Sequence, residues 1–159
     1  MFLNKRKVIF LISILVIIFF FTFNYFKPQV IRVVDGDTIH LDGEKIRFTG
    51  IDTPELKQTC IKEDVNNSCG LTAKQILIDK IVDNKVKCIS EGKDQYKRTL
   101  AECFVNNESL SSYLVRSGYA FAYRRYSKKF IIDENFAKNK QAGMWSMEFE
   151  YPWDFRRNN

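Results

Sequence analysis

The stretch spanning residues 33–55, VVDGDTIHLDGEKIRFTGIDTPE, narrows most what this chain can become. Residues 38–41 and 45–49 each alternate, with Ile39 and Leu41 on one face of the first run and Ile46 and Phe48 on one face of the second. A period of two belongs to half-buried strands, so the runs predict two strands. Asp42 and Gly43 between them make a hairpin turn. Asp35, Asp37, Arg47, Asp52 and Glu55 then fall at strand ends or on the face opposite the apolar residues. Singly, each carboxylate reads as a solvated turn residue. Gathered beside an arginine fork, they are what a site handling a metal ion and a phosphate needs.

Ahead of this stretch, Lys5, Arg6 and Lys7 precede residues 8–26, whose clearly polar members are only Ser13, Thr22 and Asn24. Those 19 residues, at ~1.5 Å each as a helix, just cover a hydrocarbon core of ~30 Å. The positive flank predicts a cytoplasmic N-terminus and an exported C-terminal part. The sequence therefore divides into an anchor or signal segment, residues 1–27, and one folded domain, residues 28–159. An uncleaved single-pass anchor is favoured, because the apolar run exceeds a usual signal core and ends without small residues. It would place the domain on the outer, periplasmic or extracellular, side of the cell membrane. Cleavage would instead give a secreted protein.

The chain's net charge is +6, and without the three N-terminal cations 22 basic residues face 19 acidic ones. That balance is compatible with a polyanionic partner and equally with an ordinary basic surface. All four cysteines follow the apolar segment, and an even count in an exported domain points to disulfides. With no Cys-x-x-Cys pair and His40 as the only histidine, a zinc site is disfavoured. Residues 86–90 and 100–105 read as a hairpin that sets Val86 opposite Val105 and Cys88 opposite Cys103. Cys60 and Cys69 can close the polar loop of residues 55–70 on itself. The expected bridges are thus Cys60–Cys69 and Cys88–Cys103.

Residues 30–34 complete a three-stranded meander with the two strands above. Apolar spacing predicts a helix over 72–82, a second over 107–118 capped by Asn107, and a third over 133–142 stopped by Gly143. The tail, with Trp145 and Trp153, is expected to pack back on the body. Three strands, a helix, two strands and further helices predict an α+β, mainly β domain: a five-stranded OB-fold barrel with about three helices.

Residues 30–145 resemble the staphylococcal nuclease (thermonuclease) family. The resemblance rests on Asp35-Gly36-Asp37-Thr38, Arg47, Asp52-Thr53-Pro54-Glu55, Asp94-Gln95-Tyr96-Lys97-Arg98, Leu114-Val115-Arg116-Ser117-Gly118 and Gly143-Met144-Trp145, in that order. The ending Tyr151-Pro152-Trp153-Asp154-Phe155-Arg156-Arg157 and the four cysteines resemble an exported bacterial branch. The resemblance implies a calcium-dependent (Ca2+) nuclease acting on DNA and RNA. It implies Asp37 and Asp52 as calcium ligands with the Thr53 carbonyl, and Asp35 near the metal rather than on it. Arg47 and Arg98 would grip the scissile phosphate, and Glu55 would position or deprotonate the attacking water. Lys97 stands where the family often has glycine, so the turn before Arg98 is expected to differ or to avoid positive φ.

Chemistry supports the implied roles. A phosphodiester is anionic, and hydrolysis needs positive charge aimed at its non-bridging oxygens. Calcium takes hard oxygen ligands, and two guanidinium forks add parallel hydrogen bonds that a lysine cannot. Tyr96, Tyr123 and Tyr126 are candidates for stacking on bases. Arg124, Arg125, Lys128 and Lys129 could steer a nucleic acid, lie against anionic lipid, or form a solvated loop. Arg116 reads as structural and His40 as a surface strand residue. The expected protein is monomeric, meeting nucleic acid as substrate and the membrane through its N-terminal helix. The rival reading is a tethered OB module that binds nucleic acid without cutting it.

Overall fold

The computed structural model describes residues 5–25 and 28–159, with the backbone alone for residues 21–25. Helix α1, Lys5–Tyr25, follows from an apolar run that contains no glycine or proline. Among the described residues no helix is long and apolar enough to cross a membrane. Phe26 and Lys27, which close the predicted anchor and begin the linker, lie outside the described residues.

Strands β1 (Ile31–Val33), β2 (Thr38–Leu41) and β3 (Glu44–Phe48) form the expected antiparallel meander. Its tight turn places Asp42 and Gly43 at φ +51° and +89°, and Ile39 pairs with Ile46 on the core face. A short β4 (Ile51–Asp52) follows. The loop expected to be irregular holds a small hairpin, β5 (Cys60–Lys62) with β6 (Val65–Asn67). Its turn residues Glu63 and Asp64 carry positive φ, and acidic side chains in place of Asn-Gly hid the turn.

Helix α2 (Cys69–Ile81) leads to β7 (Val86–Lys93) and β8 (Thr99–Val105), which pair in the expected register, Val86 with Val105 and Cys88 with Cys103. Strand β8 also lies parallel to β3, Phe48 against Ala101. A two-residue β9 (Glu108–Ser109) returns along β8 before α3 (Leu110–Arg116). Asn107 does not cap α3. It and Asn106 make the left-handed turn between β8 and β9, and the Ser109 hydroxyl accepts the Ser112 N–H instead. Strand β10 (Phe121–Ala122) pairs with β4, and α4 (Ile131–Asn139) ends ahead of Gly143 at φ +53°. A 3-10 turn (Gly143–Ser146) and a helix missed in the sequence, α5 (Pro152–Asn158), finish the chain.

Among the described residues the architecture is mixed α+β, mainly strands, with five helices. The strand path runs β1-β2-β3-β8-β7, and among the described residues no ladder joins β7 to β1. The expected closed barrel is therefore not seen as a continuous ladder. The two edges meet instead through the Gln29 side chain, whose Nε2 donates to the Val86 carbonyl (2.8 Å) while its Oε1 accepts from the Val86 N–H (2.9 Å). A side-chain amide supplies one rung because it carries the same donor and acceptor as a peptide.

The main core packs Ile39, Ile46 and Phe48 of the meander against Leu77 of α2, Ala101 of β8 and Leu114 of α3. A second core forms around Phe121 and Met144 with the Cys60–Cys69 bridge. Phe149, Tyr151 and both tryptophans of the tail pack on it, as expected. Both expected disulfides are present. The Cys88–Cys103 bridge closes a separation of 15 residues across β7 and β8. Replacing both cysteines by alanine should cost ~3 kcal/mol through the freed unfolded chain. Urea unfolding of the disulfide-intact and double-substituted proteins measures this, and a non-reduced digest should return no cross pairing.

Candidate active site

Strand alternation turns Ile46 and Phe48 into the core and Arg47 away from it. Arg47 pairs with Thr38 across the hairpin, and the Phe48 N–H bonds the Asp37 carbonyl (2.8 Å), which brings Asp37 alongside. The pairing of Asp52 with Phe121 carries the second carboxylate to the same place. Arg47 then bridges the two. Its Nη1 donates to Asp37 Oδ1 (2.7 Å) and its Nη2 to Asp52 Oδ1 (2.9 Å).

Both carboxylates are withdrawn from water, Asp37 at 2% exposure and Asp52 at 0%. Asp37 also accepts from the Thr38 hydroxyl (3.0 Å) and the Thr53 N–H (3.2 Å), and its own N–H is held by Asp35 (3.1 Å). Gly36 makes this closeness possible, since a Cβ there would stand 2.8 Å from Thr53 Oγ1. Glu55 is set by Gln58, a buried residue that accepts the Glu55 N–H through Oε1 (3.2 Å) and donates its own N–H to the Glu55 carbonyl (2.7 Å).

The site holds one residue that sequence reasoning did not place there. Arg156 of α5 forks onto Asp52, Nη2 to Oδ2 at 2.6 Å and Nη1 to Oδ1 at 3.2 Å, and Nη1 also reaches Glu55 Oε1 at 2.7 Å. It lies about a hundred residues along the chain from both partners. The only signal was the ending Tyr-Pro-Trp-Asp-Phe-Arg-Arg, which carries no spacing relation to them.

Of the predicted site residues, Asp37, Arg47, Asp52, Thr53 and Glu55 come together. Arg98 makes its ion pair with Asp94 on its own turn (2.7 Å) rather than with a site carboxylate. Leu100 nonetheless pairs with Arg47 across β8 and β3, so Arg98 stands two residues from Arg47's partner. The turn was expected to differ or to avoid positive φ; Lys97 instead takes φ +63°, in the left-handed region. The three N–H groups that Asp94 binds (the backbone N–H of Tyr96 and Arg98 and Arg98 Nε) hold Lys97 in that strained region.

Tyr96 and Tyr126 are exposed, at 72% and 73%. Tyr123 is engaged by the tail, stacked on Trp153 with ring centroids 5.7 Å apart. All four loop cations are exposed; Arg124 pairs with buried Glu134 (2.5 Å) and Lys129 with Glu102. Arg116 pairs with Asp133 (3.2 Å), as a structural residue would. His40 lies beside Arg32 (3.4 Å), away from the site.

Among the described residues, no three of His, Cys, Asp and Glu are gathered tightly enough to ligate one ion, because the arginines lie between the carboxylates. The donor set still suits a hard cation. Among the described residues Asp35, Asp37, Asp52 and Glu55 face Arg47 and Arg156, an excess of two negative charges when all are ionised. A divalent cation cancels that excess.

The sequence model of the family described as staphylococcal nuclease homologue matches residues 45–147, well over half of the chain. The chain belongs to this family. Relatives of the nuclease family include an uncharacterised endonuclease of Haemophilus influenzae, 29% identical over 125 residues, covering 74% of this chain and 65% of the relative. The micrococcal nuclease of Shigella flexneri is 28% identical over 150 residues, covering 83% and 81%. A probable staphylococcal-like nuclease of Oryza sativa is 32% identical over 117 residues, covering 72% of this chain but 29% of the plant protein.

The electrostatics carry a testable consequence. Burial, ahead of every other cause, pushes Asp37 up from 3.8 to about 7; Arg47 pulls it down and Asp35 and Asp52 raise it further. Burial works against the Arg47 charge, but Asp37 and then Asp52 outweigh it and raise its pKa. From pH 3.8 to about 7 the folded protein holds a proton that the unfolded chain releases. Asp37's contribution to stability is therefore full below that window and lost as the pH rises through it. Without divalent cations, the wild type should lose stability relative to Asp37→Asn across that range, read as urea midpoints. A pH-independent difference would show Asp37 ionised throughout.

Proposed function

We propose that this protein is a calcium-dependent nuclease hydrolysing DNA and RNA outside the cytoplasmic membrane. That it is a phosphodiester-hydrolysing nuclease follows from its family. The observation that carries the finer reading is Arg47 shared between two buried carboxylates. The family is generally calcium-dependent, and the oxygen donors and excess negative charge fit that ion. Asp37, Asp52 and the Thr53 carbonyl would hold it, with Asp35 nearby. Bound there, calcium would supply positive charge against the non-bridging oxygens of the phosphodiester.

The chain's own groups supply the rest. Arg47 has five N–H donors, of which Asp37 and Asp52 take two, so donors remain for a phosphate oxygen. Arg98 spends its Nε on Asp94 and keeps its Nη groups for the same task. Glu55, partly exposed at the rim, can orient a water or take its proton. Tyr96 and Tyr126 offer exposed faces on which bases can stack, with Tyr123 beside Tyr126.

The domain of residues 28–159 is read as an OB-type barrel acting as a monomer. Its two disulfides suit an oxidising compartment. Helix α1 exposes Ile9, Phe10, Leu15 and Ile17, and residues 1–27 are read as the membrane anchor or signal. Protease shaving of intact cells tests the outward placement.

The full chain with its disulfides intact should cut single-stranded and duplex DNA, and RNA, with calcium and stop with a chelator. Glu55→Gln should lower turnover ~10²-fold or more. Binding without cutting in every arm would favour the non-catalytic OB module, although carboxylates that repel phosphate argue against pure binding.

A further inference from the structure

Two side chains of helix α5, one turn apart, join it to the aromatic cluster and to the site. At its start the Trp153 indole stacks between Tyr151 (4.6 Å, 10° between planes) and Tyr123 (5.7 Å, 17°), over the edge of Phe121. Three residues on, and so on an adjoining face, Arg156 reaches Asp52 and Glu55. Among the described residues its neighbour Arg157 pairs within the helix, with Asp154. The segment leading into α5 is held by the residue that fixes Glu55: Gln58 Nε2 donates to the Glu150 carbonyl (2.6 Å) while its Oε1 accepts the Glu55 N–H.

We propose that Arg156 is a positioning residue of the nuclease site, delivered by the Trp153 stack, that sets the Glu55 carboxylate against Asp52. This rests on the nuclease reading above. Among the described residues, the Glu55 carboxylate has Arg156 as its one partner. A half-exposed glutamate without it samples several rotamers, few of which aim at one reacting centre. The guanidinium is planar, so engaging both carboxylates at once fixes their separation as well as their charge. The Arg156–Glu55 pair is partly exposed on both sides and adds little to stability, so holding the fold together does not account for the reach to Glu55. Asp52 is already paired with Arg47 without Arg156.

The charge of Arg156 has an opposite effect on the metal. A cation added beside Asp52 disfavours a second cation there, so removing Arg156 should tighten calcium binding while it slows turnover. Damage to the site would weaken both. Lysine separates the two effects, since it restores the charge but not the fork.

The experiment compares the full wild-type chain with Arg156→Ala, Arg156→Lys, Trp153→Ala and Arg157→Ala. It measures kcat and KM on single-stranded DNA at saturating calcium, calcium affinity by calorimetry without DNA, and Tm. Arg156→Ala should lower kcat ~10–100-fold, as removal of an outer partner of a metal-site ligand does, with KM nearly unchanged. Its calcium Kd should tighten on the order of tenfold. Arg156→Lys should return the calcium Kd to the wild-type value and recover only part of kcat. Trp153→Ala, if folded by its Tm, should reproduce the kcat loss, and Arg157→Ala should match wild type.

An Arg156→Ala kcat within about twofold of wild type would overturn the proposal. So would weaker calcium binding together with a fallen Tm, which marks a structural role. Full recovery by lysine would reduce Arg156 to a charge and overturn the positioning role. A wild type that neither cuts DNA nor binds calcium would remove the nuclease reading itself, and this inference with it.

Discussion

Asp37 and Asp52 are held out of water on either side of one guanidinium, and the domain is arranged around keeping them there. Withdrawing a carboxylate from solvent costs several kcal/mol even after relaxation, so each needs a partner whose position does not drift. Arg47 serves both because it extends from a strand whose flanking residues, Ile46 and Phe48, are locked in the core. The Thr53 N–H and the Thr38 hydroxyl add two further hydrogen bonds to Asp37. The arrangement leaves more carboxylate than guanidinium charge, which makes the site unfavourable by itself and receptive to a divalent cation.

The site lies at the seam between two cores. The meander belongs to the main core, while the tail belongs to the aromatic cluster around Phe121 and Met144. Glu55 stands where they meet. Its carbonyl abuts the start of α2, where a Cβ on Gly70 would come within 1.8 Å of the Glu55 oxygen. The Cys60–Cys69 bridge holds the intervening hairpin against that helix end. Loop residues with few core contacts are thus immobilised by a glycine contact, a disulfide and a buried glutamine, rather than by burial of their own side chains.

Local chemistry was legible where it was strongest. The strand of residues 38–41, the hairpin of residues 86–105 and its Cys88–Cys103 bridge were readable because alternation and cross-strand spacing leave one register. Cys60–Cys69 was readable only as the closure of its loop. Readings failed where two local signals competed. Asn107 reads as a cap, yet Asn also favours the left-handed turn it makes with Asn106, and Ser109 was free to cap α3. Lys97 lacks glycine's freedom at positive φ. Asp94, binding three N–H groups around it, supplies the constraint that a propensity scale does not contain.

The sequence by itself determined the meander, the pairing of its cysteines and the residues around Arg47. These depend on neighbours within about twenty positions, over which period and turn chemistry act directly. Tertiary structure alone decided that a glutamine side chain would bridge β1 and β7 and that Arg156 would enter the site. Each is a contact between groups whose approach no local rule describes, or a choice among acceptors that only the folded chain presents. For Arg156 the deciding force is the stacking of Trp153 on Tyr123 and Tyr151. Aromatic burial aims the helix, and the arginine one turn further on goes where the helix points.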